Sequence, residues 1–165
     1  TGNADIAARV RQLRQYGWGA KYQNEIGGGR NSRLDEMQAA FLSMMLPHLD
    51  TWNARRREIA NLYTNGIRNT AIEVPAIAHD DSVAHLYVVR CDERDRLRSH
   101  LEALGIGTDV HYPLPDYRQA CFEGAYDSVH LPRTERDAQS VLSLPCFPEL
   151  TDAEVDQVVD ACNRF

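Results

Sequence analysis

The side chains best placed to do chemistry in this 165-residue chain lie on either side of a helix start. Three consecutive glycines, Gly27 to Gly29, let the backbone reach positive φ and approach a ligand or neighbouring chain closely. Ser32 then opens a helix, and Asp35 three residues on completes a capping box of the S-x-x-D kind. Unpaired N–H groups and partial positive charge at a helix N-terminus stabilise phosphate or carboxylate. Asn31 and Arg33 flank that start, one an amide donor and the other a cation. A second candidate is Arg56, on the apolar stripe of the following helix, where a guanidinium needs an anionic partner. Its neighbours Arg55 and Arg57 fit a solvated helix face. A third is His111-Tyr112, at a strand end that Pro113 and Pro115 force out of any ladder into a rigid loop.

Several elements must hold these groups. Asn3 reads as the N-cap of a first helix whose stripe is Ile6, Val10 and Leu13, with Gly17 as its C-cap. Trp18, Lys21 and Tyr22 follow in a glycine-bounded loop, whose aromatic residues either line a ligand site or plug a subunit contact. Leu34, Met37, Gln38, Phe41 and Met45 give the Ser32 helix a buried face. After Pro47 the stripe resumes as Leu49, Trp52, Ile59, Tyr63 and Ile67. The helical region ends before residue 70, and VPAIAHDD is irregular.

The architecture then changes. Val83 to Arg90 reads as a strand, its unsorted faces implying burial on both sides. Asp92 with Asp95 caps a helix carrying Leu97, Leu101 and Leu104, stopped by Gly105 and Ile106. Gly107 to His111 reads as a second strand. Residues Tyr117 to Tyr126 are ambiguous between a short helix and a loop. Thr134 with Asp137 starts a helix running through Ala138, Val141 and Leu142, and Pro145 keeps any strand in Leu142 to Phe147 short or at an edge. Thr151 with Glu154 is a capping box before Val155, Val158, Val159 and Cys162. Helices packed on a small mixed or antiparallel sheet make this α+β, as a helical segment over 1–70 and an α+β unit over 71–165.

A formal net charge of −6 argues against nucleic acid and anionic membranes as partners, so anion binding must come from locally placed arginines. Cys91, Cys121, Cys146 and Cys162 show no C-x-x-C or His-rich pattern for a metal, and reduced thiols in a cytoplasm fit them. There is no transmembrane run or signal pattern. A start at Thr1 that already leads into a helix suggests a chain beginning within a longer protein.

GGGRNSRLDEMQAAFL followed by LDTWNARRREIANLY resembles the signature of the DegT/StrS family of pyridoxal-phosphate-dependent sugar aminotransferases. RVRQLRQYGW before it, and AHLYVVR, GIGTDVHYPLP and LPRTERDAQSVLSLPCFPELTDAEVDQVV after it, match in the same order. The resemblance covers nearly the whole chain, but only the C-terminal part of the family.

It implies the small C-terminal domain of a fold-type I aminotransferase, acting as a homodimer on a nucleotide-linked keto-sugar with glutamate as the usual donor. The segment 1–70 would link to the absent large cofactor domain and contribute to the dimer site. Asn31, supported by Arg33, would reach the cofactor phosphate of the partner subunit. Tyr22 and Arg56 would meet the substrate diphosphate, with Arg55 replacing Arg56 if the helix is rotated. His111 and Tyr112 match the H-Y-P loop that closes over the sugar. Many members have a histidine shortly after that loop where this sequence has Tyr117, which leaves the sugar open.

A transaminase needs a lysine to hold pyridoxal phosphate as a Schiff base and to move protons. The one lysine, Lys21, sits in a polar loop with no aspartate placed to pair the cofactor ring, and reads as a surface residue. No catalytic residue is therefore assigned, and the chain is expected to be silent without the large domain. Two alternatives stand beside this reading: a same-family sugar dehydratase using the same cofactor, and a non-catalytic binding or dimerisation module.

Overall fold

The computed structural model describes residues 1–76 and 82–165, so the end of the irregular stretch expected over 74–81 lies outside the described residues. The chain forms two compact units, Thr1–His48 and Leu49–Phe165. This division falls before residue 70, since the long helix after Pro47 contributes its buried side chains to the second unit.

In the first unit α1 spans Ala4–Leu13, and the Asn3 side chain accepts the Ile6 N–H at 3.1 Å as its cap. The helix stops at Leu13 with Arg14 as C-cap, earlier than Gly17. Gly17 instead makes the turn that follows, donating its N–H to the Gln12 carbonyl at 2.8 Å with φ +77°. The segment expected as a loop is a small antiparallel hairpin of β1, Trp18–Ala20, and β2, Gln23–Asn24. Tyr22, in the left-handed region at φ 69°, turns the chain between them.

Residues 30–32 then lie alongside the end of α1. Arg30 donates to Leu13, Tyr16 to Arg30, and Ser32 to Arg14, at 2.8–3.1 Å. The crossing requires a glycine, because a Cβ at Gly29 would sit 2.1 Å from Gly17 N and from Tyr16 C. This pairing also overturns the Ser32 cap. With the chain held extended there, α2 spans Glu36–Met45, and its cap is Asp35, whose carboxylate accepts the Gln38 N–H at 2.8 Å. The buried face expected for this helix is not found: Leu34, Met37, Phe41 and Met45 are all about half exposed or more, and no residue of α2 is buried.

The second unit holds the core. Here α3, Leu49–Gly66, buries Ile59, Ala60 and Tyr63, while Leu49 stays exposed. β3, Tyr87–Arg90, pairs antiparallel with a later strand, Val141–Leu144, in the register Tyr87 to Leu144 and Arg90 to Val141. Single bridges, Glu73 to Arg90 and Asp109 to Ser143, extend this ladder on both sides. β3 is shorter than the expected 83–90, and its faces are sorted: Tyr87 and Val89 are fully buried and Arg90 is exposed. The strand expected over Gly107 to His111 contributes only the bridge at Asp109, before the prolines carry the chain away.

α4, Arg94–Ala103, begins after Glu93 without a side-chain cap, so Asp92 does not cap it. The Cys91 N–H donates to Ser140, which keeps the chain engaged with its neighbour up to that point. Leu97 and Leu101 are fully buried, whereas Leu104 is exposed. Gly105 at φ +77° and Ile106 return their N–H groups to Glu102 and Leu101, a Schellman stop.

Residues 116–118 and 120–122 form two short 3₁₀ turns, resolving the ambiguous stretch. α5, Pro132–Ser140, has its proline in the first turn and no Thr134 cap, and it gives way to β4, Val141–Leu144, so Val141 and Leu142 are strand residues. Pro145 ends β4. α6, Asp152–Asn163, carries the Thr151–Glu154 capping box and buries Val155, Val158 and Cys162. All four cysteines are free thiols, and only Cys121 is exposed.

Candidate functional site

Each unit places part of the chemistry. In the first, Arg33 Nε donates to Asn31 Oδ1 at 3.0 Å, and the Arg33 guanidinium lies 5.8 Å from the Tyr16 ring centre. The expected neighbours are thus brought together, and Gly29 and the 30–32 pairing hold their backbone in place. Asp35 already sets a carboxylate on the first turn of α2, which lowers the pull on a second anion. The available donors are the Asn31 amide nitrogen and the Arg33 guanidinium.

Arg33 also lines a groove of about 510 Å³ with Arg11, Lys21, Gln12, Gln15 and Trp18. Three cations and no carboxylate border it, which suits an anionic ligand. Arg11 and Lys21 do not stand out in the sequence as a pair that would meet at one groove. The signal was the i, i+4 spacing of Arg11 with Gln15, but joining that face to Lys21 required the hairpin. Lys21 is exposed, with Nζ 5.1 Å from the Tyr22 ring centre. Tyr22 itself is 76% exposed at the hairpin turn.

In the second unit the three successive arginines have separate tasks. Arg55 donates at 2.7 Å to each of Glu58, Asp152 and the Leu150 carbonyl. The anionic partner expected for Arg56 is replaced by backbone: its Nη1 donates to the Cys146 carbonyl and, at 3.3 Å, to that of His85. Arg57 is half-buried, not a solvated face, and Nε donates to the Ser82 carbonyl at 2.9 Å. Carbonyl oxygens from two distant segments, 82–85 and 146–150, satisfy what a stripe on paper leaves open.

His111 and Tyr112 meet edge to face, ring centres 5.3 Å apart. His111 Nδ1 is 2.9 Å from Ser143 Oγ, and Nε2 is 3.6 Å from Asp109 Oδ2. Both border an apolar groove of about 460 Å³ with Leu114, Pro115, Ala138 and Val141, in which Tyr112 stands largely exposed. Tyr117 donates its hydroxyl to Glu135 at 2.8 Å. That bond, with the Leu131 N–H, holds the Glu135 carboxyl below the usual carboxylate range. Ser143 and Asp109 were missed in the sequence, although a serine inside the apolar run VLSLP was a visible anomaly. Among the described residues no cluster of His, Cys, Asp and Glu could hold a metal, and no helix is long and apolar enough to cross a membrane.

The profile of the DegT/DnrJ/EryC1/StrS aminotransferase family matches residues 1–163. The chain is 47% identical over 168 residues to dTDP-3-amino-3,4,6-trideoxy-alpha-D-glucose transaminase of Streptomyces venezuelae, across 100% of this chain and 44% of that protein. It is 42% identical to dTDP-3-amino-3,6-dideoxy-alpha-D-galactopyranose transaminase of Aneurinibacillus thermoaerophilus, across 100% and 45%. The crystal structure of S. venezuelae DesV in complex with a ketimine intermediate superposes with a TM-score of 0.92 at 45% identity, over 99% of this chain and 45% of that one. NtdA from Bacillus subtilis, with bound cofactor PMP, gives 0.89 at 27% identity, over 99% and 40%.

The fold is therefore that of the small α+β domain of a fold-type I aminotransferase. The chain spans less than half the length of the relatives it matches. It belongs to the DegT/DnrJ/EryC1/StrS aminotransferase family.

Proposed function

We propose that the full-length protein is a pyridoxal-phosphate-dependent sugar aminotransferase, moving an amino group from glutamate to a nucleotide-linked keto-sugar within a cytoplasmic homodimer. The observation that carries this reading is the Asn31–Arg33 pair, which presents an amide donor and a guanidinium together. These residues fit the phosphate of the cofactor, and we assign them to the site of the partner subunit. Bound there, pyridoxal phosphate supplies the electron sink for amino transfer.

This chain's own side chains bind and orient. Asn31 and Arg33 donate to phosphate oxygens. Tyr22 and Arg56 are assigned to the substrate diphosphate, and His111 with Tyr112 closes over the sugar. Lys21 is exposed and stacked on Tyr22, so the lysine that holds the cofactor and moves protons is assigned to sequence outside this chain.

The relatives named as dTDP-amino-sugar transaminases make a dTDP-linked 3-keto sugar the first substrate to try. The test is the full-length protein with pyridoxal phosphate, glutamate and that substrate, followed by mass spectrometry of the nucleotide-sugar and assay of 2-oxoglutarate. Equimolar amino-sugar and 2-oxoglutarate are expected. Deoxygenated sugar without amine would replace the reading with the dehydratase, and no turnover with any nucleotide keto-sugar would remove it.

A further inference from the structure

His111 and Ser143 come together through the single bridge at the end of the ladder. Asp109 N–H donates to the Ser143 carbonyl at 3.2 Å, and Ser143 N–H to the Asp109 carbonyl at 2.7 Å. In extended backbone residues two apart share a face, so His111 lies diagonally across from Ser143, within side-chain reach. The resulting contact, Nδ1 to Oγ, is 2.9 Å.

The burial of Ser143 decides which atom carries the proton. Ser143 is 5% exposed, and among the described residues its hydroxyl has one hydrogen-bond partner, His111 Nδ1. If Nδ1 were protonated, it would donate to Oγ and leave the serine O–H buried with no acceptor, a costly arrangement. With Nδ1 bare, the serine donates and both groups are satisfied. The proton of the neutral imidazole then sits on Nε2. Nε2 is 3.6 Å from Asp109 Oδ2, too long for a hydrogen bond, and Asp109 is largely exposed. His111, with its donor proton so placed, lines the same groove as Tyr112, Leu114 and Pro115.

We propose that Ser143 is a positioning residue that locks His111 in the Nε2–H tautomer, presenting that N–H as a hydrogen-bond donor to an oxygen of the sugar. Asp109 biases the same tautomer by favouring a proton on the nitrogen that faces it. The role toward the sugar rests on the proposed function, whereas the tautomer does not.

The experiment is two-bond ¹H–¹⁵N correlation spectroscopy on the full-length protein with ¹⁵N-labelled histidine, at a pH where the imidazoles are neutral, with His111 assigned through His111→Gln. The Nε2–H pattern is expected for His111, with loss of that preference in Ser143→Ala and its return in Ser143→Thr. In the active enzyme Ser143→Ala should raise the KM for the nucleotide-sugar about tenfold with a smaller change in kcat, as expected for lost binding. An Nδ1–H pattern in the unmodified protein overturns the proposal even if Ser143→Ala does not fold, and so does an unchanged pattern in a folded Ser143→Ala. An inactive protein with an Nε2–H His111 would sink the aminotransferase reading and leave the Ser143 assignment standing.

Discussion

Arg33 Nε and Asn31 Oδ1 are 3.0 Å apart, so the guanidinium takes the acceptor end of the amide and leaves its donor end for an incoming oxyanion. A hydrogen bond to a charged oxygen contributes roughly 1.5–3 kcal/mol, so Asn31→Ala should weaken retention of pyridoxal phosphate about ten- to a hundredfold in the full-length protein. Arg33→Ala should cost at least as much, since it removes a cation and the group that orients the amide. Equilibrium dialysis with absorbance of the bound cofactor measures both. Unchanged retention in either variant would remove these residues from the phosphate site.

Gly29 touches no phosphate in this scheme, yet its replacement should behave like that of Asn31. A Cβ there would meet the backbone at Tyr16 and Gly17 at 2.1 Å, and backbone cannot move aside as a flexible side chain can. Gly29→Ala should therefore break the pairing of residues 30–32 and lower cofactor retention to the level of Asn31→Ala. Gly27→Ala, with nothing within 4 Å of its added carbon, is the control and should retain cofactor normally. Equal retention in both variants would contradict the crossing.

Arg56 has a structural task that precedes any ligand. Its donation to the Cys146 and His85 carbonyls ties α3 to the segments flanking the sheet. Arg56→Ala should lower stability by about 1.5–3 kcal/mol, measured by urea unfolding. Its proposed effect, a raised KM for the nucleotide-sugar at unchanged cofactor absorbance, must be read where the variant is still fully folded. A substrate defect in Arg55→Ala with none in Arg56→Ala would transfer the diphosphate to Arg55.

What was legible in the sequence was local chemistry. Asn3, the Thr151–Glu154 box and the Gly105 stop all work within one helical turn, so spacing identifies them. The errors came where a distant segment intervened. Ser32 matched a cap motif, but its N–H pairs with Arg14, and the true cap lies three residues later. Gly107 to His111 has strand composition, yet only Asp109 finds a ladder partner. Arg56 was marked as needing an anionic partner, and no pattern of charges could show that carbonyl oxygens would take that place. The aromatic residues of the Trp18–Tyr22 stretch were visible, but not the hairpin that puts Lys21 beside Arg11 and Arg33.

The α6 cap also predicts a pH dependence. The Thr151 N–H and hydroxyl both donate to Glu154, at 2.8 and 2.7 Å, and hold its carboxyl below its ordinary 4.5. A carboxylate depressed in the folded state adds stability that is fully present above its unfolded value and is lost as pH falls through the folded one. Glu154→Gln should therefore flatten the decline of the unfolding midpoint between about pH 6 and pH 3. Thr151→Ala, which removes the cap hydroxyl, should cost about 1 kcal/mol at neutral pH. Parallel acid limbs for the Gln variant and the parent would rule the pair out as a source of the dependence.

The chain's three methionines, Met37, Met44 and Met45, all fall on α2, where they are 71%, 72% and 49% exposed. Thioether oxidation follows exposure and leaves a mass tag of one oxygen on each residue. A brief peroxide pulse on the full-length protein, read by peptide mass spectrometry, thus turns one helix into a footprinting gauge. Protection at all three residues would show α2 covered in the assembled protein, and sulfoxide at Met37 and Met44 would show it open to solvent.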